Sequence, residues 1–256
     1  LDWLRSSTLF HGFDDHSLRG LLPIFDWRSV PAGQVLFEQG SEGRSIFIIA
    51  SGRLQAILRD EAGQGTVLRN MRPGDVIGEV GLITREPRTA EVRAVRDALV
   101  VEVSEAAFER LAQRFPRLAR RLSEVAVRRM AMGGERGRHP TGAATTLTVV
   151  PLDKDLDLSA FCDQLTAALT QMGPAASVNG RKLDAYCGEG STLIRGGEPG
   201  EAVVVRHLSN IENDHRYVLY QADSTHSPWT ARCLRQADHI LLVADASGDP
   251  SPRPVE

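Results

Sequence analysis

The sequence predicts an α+β protein in two parts: a jelly-roll-like β-roll with flanking helices, then a small α/β domain with a mostly parallel sheet. Three observations carry this. Short apolar or alternating runs separated by glycine turns fill residues 25–103, and many short strands with regular turns close into a roll or barrel. Residues 133–142 are rich in glycine and lack apolar periodicity, as a flexible linker does. Beyond them strand-like and helix-like stretches alternate, the pattern of parallel strands joined by crossover helices.

Composition narrows the function classes. The 256 residues are 42% hydrophobic and 25% charged, which suits soluble globular domains. A net charge of −3 supplies no field for nucleic acid, so no nucleic-acid partner is expected. Cys162, Cys187 and Cys233 lie far apart with no Cys-x-x-Cys, which argues against a disulfide framework or zinc site and for a reducing compartment. The seven histidines are scattered, without His-Glu-x-x-His, and no metal or required cofactor is expected. No apolar run approaches a membrane span and no secretory leader opens the chain. The first residue is Leu1, not Met, as in a piece of a longer protein. A cytoplasmic location is expected, with any membrane association arising from parts outside this piece.

Residues 1–22 read as two short helices, with Asp14 or Asp15 as a cap and Leu18, Leu21 and Leu22 as the apolar stripe. Strands are expected at residues 34–37, 45–49, 54–58, 67–68, 92–95 and 99–103. Gly33, Gly40, Gly52, the Gly63/Gly65 pair and Pro73-Gly74 mark the turns between them, the last fitting a type II turn. Ser104 then caps a helix carrying Phe108, Leu111 and Ala112, and Pro116 opens another through Met130. Arg114, Arg117, Arg120, Arg121, Arg128 and Arg129 make these helices basic, most simply a solvated face. Acidic partner surface and anionic lipid are the sharper alternatives.

The chemistry concentrates in the run Gly78-Glu79-Val80-Gly81-Leu82-Ile83-Thr84-Arg85-Glu86-Pro87-Arg88-Thr89-Ala90. Two glycines flank an acid, so the backbone there can turn sharply and approach a ligand closely. Residues 81–84 read as the first turn of a short helix, whose N–H groups favour phosphate. Pro87 stops that helix, and a strand starting at Arg88 would carry Arg88, Ala90, Val92 and Ala94 on one inward face. An inward guanidinium requires an anion. The simplest assignment gives Arg88 a phosphate and Glu79 a neighbouring hydroxyl, which together suggest a nucleotide.

The same run resembles the phosphate-binding cassette of cyclic-nucleotide-binding domains, with Gly78-Glu79 opening it and Pro87-Arg88-Thr89-Ala90 closing it. The resemblance implies that Glu79 binds the ribose 2′-hydroxyl and Arg88 the cyclic phosphate. Gly81 and Leu82 would offer backbone N–H groups, and Thr89 a hydroxyl near phosphate or base. Ile77 and Gly81 depart from the aromatic and alanine usual there, and neither removes a ligand group. Leu36-Phe37-x-x-Gly40, Ser51-Gly52 and Pro73-Gly74-Asp75 stand where the family has its turns, and residues 104–130 would be its hinge and lid helices. The ligand the resemblance implies is cAMP or cGMP, with cAMP favoured.

Domain boundaries are set at residues 1–132, with a linker at 133–145 and the α/β domain at 146–256. In the latter, strands are expected at 147–150, 217–220 and 240–244, and helices at 158–172, capped by Asp157, at 201–207 and at 230–237. Phe161, Leu165 and Leu169 form the apolar side of the first helix. Asp223 and Asp245 fall at strand ends, the edge where such sheets bind ligands. No Gly-x-x-x-x-Gly-Lys-(Ser/Thr) occurs, so the domain reads as a degenerate, Rossmann-like nucleotide fold serving as spacer or interaction module. Its Trp229-Thr230-Ala231-Arg232-Cys233-Leu234-Arg235-Gln236-Ala237-Asp238 run resembles the region before the patatin-like phospholipase domain of the neuropathy target esterase family. Read from the residues alone, this is a helix docking on a sheet through Trp229, Cys233 and Leu234.

That family's catalytic parts do not occur here, since there is neither a Gly-x-Ser-x-Gly elbow nor an Asp-Gly dipeptide. The expectation is therefore a non-catalytic regulatory piece that binds a cyclic nucleotide and controls a C-terminal hydrolase domain of the same polypeptide. Three rivals stand beside it: a ligand-free docking scaffold, a kinase or channel regulatory subunit, against which only the second domain argues, and a transcription regulator, which the lack of a helix-turn-helix disfavours.

Overall fold

Residues 45–51, Ser-Ile-Phe-Ile-Ile-Ala-Ser, are apolar on both faces, and in the computed structural model, which describes residues 2–131, 144–153 and 156–246, they form a strand buried on both sides. The chain divides into two units, Leu1–His139 and Pro140–Glu256. The first begins with α1 (Asp2–Ser6) and α2 (Asp15–Leu21), followed by β1 (Asp26–Val30), β2 (Val35–Phe37), β3 (Ser45–Ser51), β4 (Leu54–Arg59), β5 (Gly65–Met71) and β6 (Val76–Ile77). It continues with α3 (Glu79–Thr84), β7 (Glu91–Ala94), β8 (Ala98–Ser104), α4 (Glu105–Arg114) and α5 (Pro116–Ala131). Its strands make two antiparallel sheets, ordered β1-β8-β3-β6 and β2-β7-β4-β5.

Period-two alternation in β3 decides what each face meets. Phe47 and Ile49 point between the sheets, among Leu36, Leu54, Val92 and Val100. Ile46 and Ile48 point outward, onto Leu18, Leu111, Leu118 and Leu122 of the helices. The helix starts follow the capping chemistry expected: the Asp14 carboxylate accepts from the Ser17 N–H and the Ser104 hydroxyl from the Ala107 N–H. Two strands escaped the sequence reading. β1 buries only Val30 fully and leaves Trp27 48% exposed, so no alternation marks it, and β6 is two residues long.

The second unit contains β9 (Thr145–Pro151), α6 (Ser159–Thr170), β10 (Ala175–Val178), α7 (Gly180–Cys187), α8 (Glu201–Asp214), β11 (Tyr217–Gln221), α9 (Pro228–Gln236) and β12 (His239–Val243). All three pairings in the sheet, ordered β10-β11-β9-β12, are parallel. Trp229 anchors α9 as expected: its ring is buried with Cys233 against Val218 and Tyr220, and its Nε1 donates to the Gln221 carbonyl at 2.9 Å.

Several boundaries differ from the expectation. α6 starts at Ser159 with Leu158 at the cap position, and Asp157 instead accepts from the Ser159 N–H beside it. Phe161 is 41% exposed and Cys162 takes the buried position. α8 runs a full turn and more past residue 207. β10 and α7 were not foreseen, and residues 133–143 of the expected linker lie outside the described residues.

A buried acid ties β7 into its sheet. The Glu91 carboxylate accepts from Arg59 Nε at 2.6 Å, Arg59 Nη2 at 2.9 Å and Arg93 Nε at 3.1 Å. The Arg59 hydrogen bond, chiefly, holds its pKa below the ordinary carboxylate value of 4.5. A depressed folded pKa contributes stability that is present above the unfolded value and lost as pH falls through the folded one. Glu91→Gln is expected to lower the melting temperature at pH 7 and to narrow its gap from wild type as the pH is taken into the acid range. A gap independent of pH would count against the assignment.

Candidate functional site

Gly78 joins β6 to α3 in the left-handed region, at φ +83°. A Cβ on it would lie 2.0 Å from Arg88 Nη1, so both backbone and space require glycine there. No side chain caps α3, whose Gly81 and Leu82 are buried and Val80 half-buried. Gly81 also packs against Gly43 of the β2–β3 loop, where a Cβ on Gly43 would meet the Gly81 Cα at 3.0 Å. α3 ends on Arg85 in the left-handed region, two residues before Pro87.

From Pro87 the chain does not enter the sheet directly. β7 begins at Glu91, three residues after the expected start, yet Arg88 still faces inward, 4% exposed. The reason is a backbone exchange with the loop after β2: Gly40 N–H donates to the Arg88 carbonyl and Arg88 N–H to the Ser41 carbonyl, each at 2.8 Å. That pair of bonds fixes the side-chain direction a strand would have given. Thr89 is exposed and Ala90 buried, so of the two only Thr89 presents a reachable polar group.

The Arg88 guanidinium is held by neutral groups. Nη1 donates to the Gly78 carbonyl at 2.9 Å, and Nη2 to the Ser45 carbonyl at 2.7 Å and hydroxyl at 3.3 Å. Its carbon stands 4.3 Å from the centre of the Phe37 ring, a cation–π contact. Nε has no hydrogen-bond partner. Burial pushes the Arg88 pKa down, partly offset by Glu102 and Glu79 nearby. A buried cation with a donor to spare is poised for an anion.

Glu79, 2% exposed, does have a charged partner, and the sequence reading missed it. Arg129 Nη1 of α5 lies 2.5 Å from Glu79 Oε2. Burial lowers the Arg129 pKa, with Glu79 opposing the shift. The solvated face expected of the α5 arginines does not hold for Arg129. The signal that would have found it is spacing, since Leu118, Leu122 and Ala126 are the buried stripe of α5 and Arg129 follows on the same face one turn later. Arg121 also departs from that assignment, donating to the Leu9 carbonyl at 3.0 Å and to that of His11.

In the second unit a cleft of about 250 Å³ opens at the carboxyl ends of β9, β10 and β11, lined by Asp157, Asn179, Arg181, Gln221 and Asp223 among others. Asp223 is thus at the edge where it was expected, its carboxylate accepting from the Ser227 hydroxyl. Asp245 lies beyond β12, its N–H donating to Asp153. No helix among the described residues is long and apolar enough to cross a membrane.

Comparison with known proteins gives two family matches. A cyclic nucleotide-binding domain model matches residues 27–115, and a Neuropathy Target Esterase family P-loop like domain model matches residues 143–254. Patatin-like phospholipase domain-containing protein 7 of Rattus norvegicus is 30% identical over 244 residues, 88% of this chain and 18% of its own length. Lysophospholipase NTE1 of Coccidioides immitis is 30% identical over 243 residues, 88% of this chain and 15% of its own. The chain therefore spans less than a fifth of these relatives. Among solved structures, the Thermus thermophilus Catabolite Activator Protein aligns at 30% identity with a TM-score of 0.47, over 49% of this chain and 59% of its own.

Removing Arg129 leaves Glu79 buried without its counter-charge, a change that costs about 3–5 kcal/mol. Arg129→Ala is accordingly expected to shift urea unfolding of the first unit strongly. Arg128→Ala, on the exposed side of α5, is expected to stay within about 0.5 kcal/mol of wild type.

Proposed function

From a chain that couples a cyclic nucleotide-binding domain to the P-loop-like domain of the Neuropathy Target Esterase family, we propose a non-catalytic regulatory module. Its first unit binds a cyclic nucleotide, cAMP in preference to cGMP, and governs a patatin-like phospholipase or lysophospholipase domain lying outside this chain. The observation that carries the reading is the buried Arg88 guanidinium with its unpartnered Nε, nine residues from a buried acid in a glycine-lined turn. The cyclic phosphate takes the Arg88 donors, and the Glu79 carboxylate accepts from the ribose 2′-hydroxyl. Gly78, Val80, Gly81 and Leu82 bring the backbone of the α3 turn close to the phosphate, with Thr89 at the rim and Ala90 leaving room behind it.

Regulation then follows from a shared partner. Glu79 is held by Arg129, so a ribose hydroxyl shares or displaces that contact, and the position of the last turn of α5 depends on whether ligand is present. Membrane attachment, where a hydrolase of this kind meets its substrate, belongs to polypeptide outside this chain.

A second reading draws on the same contacts. Arg88 and Glu79 each have internal partners, which also suits a ligand-free unit acting as a docking scaffold. Titration calorimetry with cAMP and with cGMP decides between them. Saturable heat is expected, stronger for cAMP, with Arg88→Ala losing about 2–5 kcal/mol of binding free energy as one side of a buried charge pair is removed. A flat titration at millimolar ligand gives the scaffold reading.

A further inference from the structure

Among the described residues, the parallel sheet of the second unit ends at β12 in an edge that is neither paired nor blunted. β9 is bonded on both sides, whereas among those residues β12 pairs with β9 alone. Exposed edges usually carry charge or proline against unwanted pairing, but β12 reads His239-Ile240-Leu241-Leu242-Val243. Ile240 is 51% exposed and Leu242 64%. Strands of parallel sheets are ordinarily covered on both faces.

The crossovers indicate what cover is missing. α7, α8 and α9 belong to steps that run in one direction along the sheet, from β10 to β11 and from β11 to β12. Their Leu183, Val204, Trp229 and Cys233 share one face with Val150 and Val218. α6 belongs to the one step in the opposite direction, and its Cys162 packs on the other face with Val149 and Leu219. Right-handed crossovers require this division. The register sets Ile240 beside Thr148 and Leu242 beside Val150, on the face of α9, where the Thr148 hydroxyl donates to the Cys233 carbonyl at 2.7 Å. A further step past β12 would run in the same direction as β11 to β12. Its helix would therefore fall beside α9, over Ile240 and Leu242.

We infer that the polypeptide following Glu256 supplies that helix together with a fifth parallel strand on the free edge of β12. The relatives described above are more than five times longer than the stretch matched, so in them the matched stretch has further polypeptide beside it.

Hydrogen exchange is followed on the 256-residue chain and on the same chain extended by about 60 residues of its natural sequence, ample for a helix and a strand. In the extended chain the amides of β12 are expected to exchange about tenfold more slowly or better, as a central strand does. Leu242→Asp is expected to change the melting temperature of the shorter chain little and to lower that of the extended chain. Unchanged exchange on extension overturns the inference, as does a substitution effect equal in the two chains. So does slow exchange in the shorter chain that is lost on dilution, which would assign the edge to a second copy of this chain.

Discussion

A guanidinium withdrawn from water and given carbonyl acceptors in place of a carboxylate is the interaction on which the first unit's architecture turns. Arg88 binds Gly78 at the end of β6, Ser45 at the head of β3 and the ring of Phe37 in β2. Three segments distant in sequence thus meet on one side chain. Neutral acceptors solvate the cation without cancelling its charge. A carboxylate in the same place would have consumed it.

The neighbouring acid is treated in the opposite way. Glu79 is ion-paired through Oε2, and its counter-charge comes from a helix that otherwise packs through Leu118, Leu122 and Ala126. The two side chains therefore differ: the cation has a donor without a partner, while the acid is engaged by Arg129 of α5.

What could be read from the sequence follows from how local each signal is. The glycine and proline spacing around Glu79 and Arg88 made the turn into and out of α3 legible, because turn geometry is dictated by the residues in the turn. Arg88 was rightly turned inward for a reason that did not hold, since backbone exchange with Gly40 and Ser41 orients it and no strand does. Arg129 was misread because a long basic side chain on a helix of arginines looks solvated until its phase against Leu118 is counted. β10 was missed because Ala175, Ala176 and Ser177 are small and only half-buried, which erases both bulk and alternation. Trp229 and Cys233 were legible because one ring and one thiol four residues apart mark the buried side of a helix unaided.

β3 is sealed on both faces, by helices on one and by the facing sheet on the other. A slip of one residue would exchange Phe47 and Ile49 for Ile46 and Ile48 and misfit two cores at once. Insertions and deletions among related chains should then accumulate in hairpins such as the one at Gly63, where nothing lies within 4 Å of an added Cβ, while the length of this strand stays invariant.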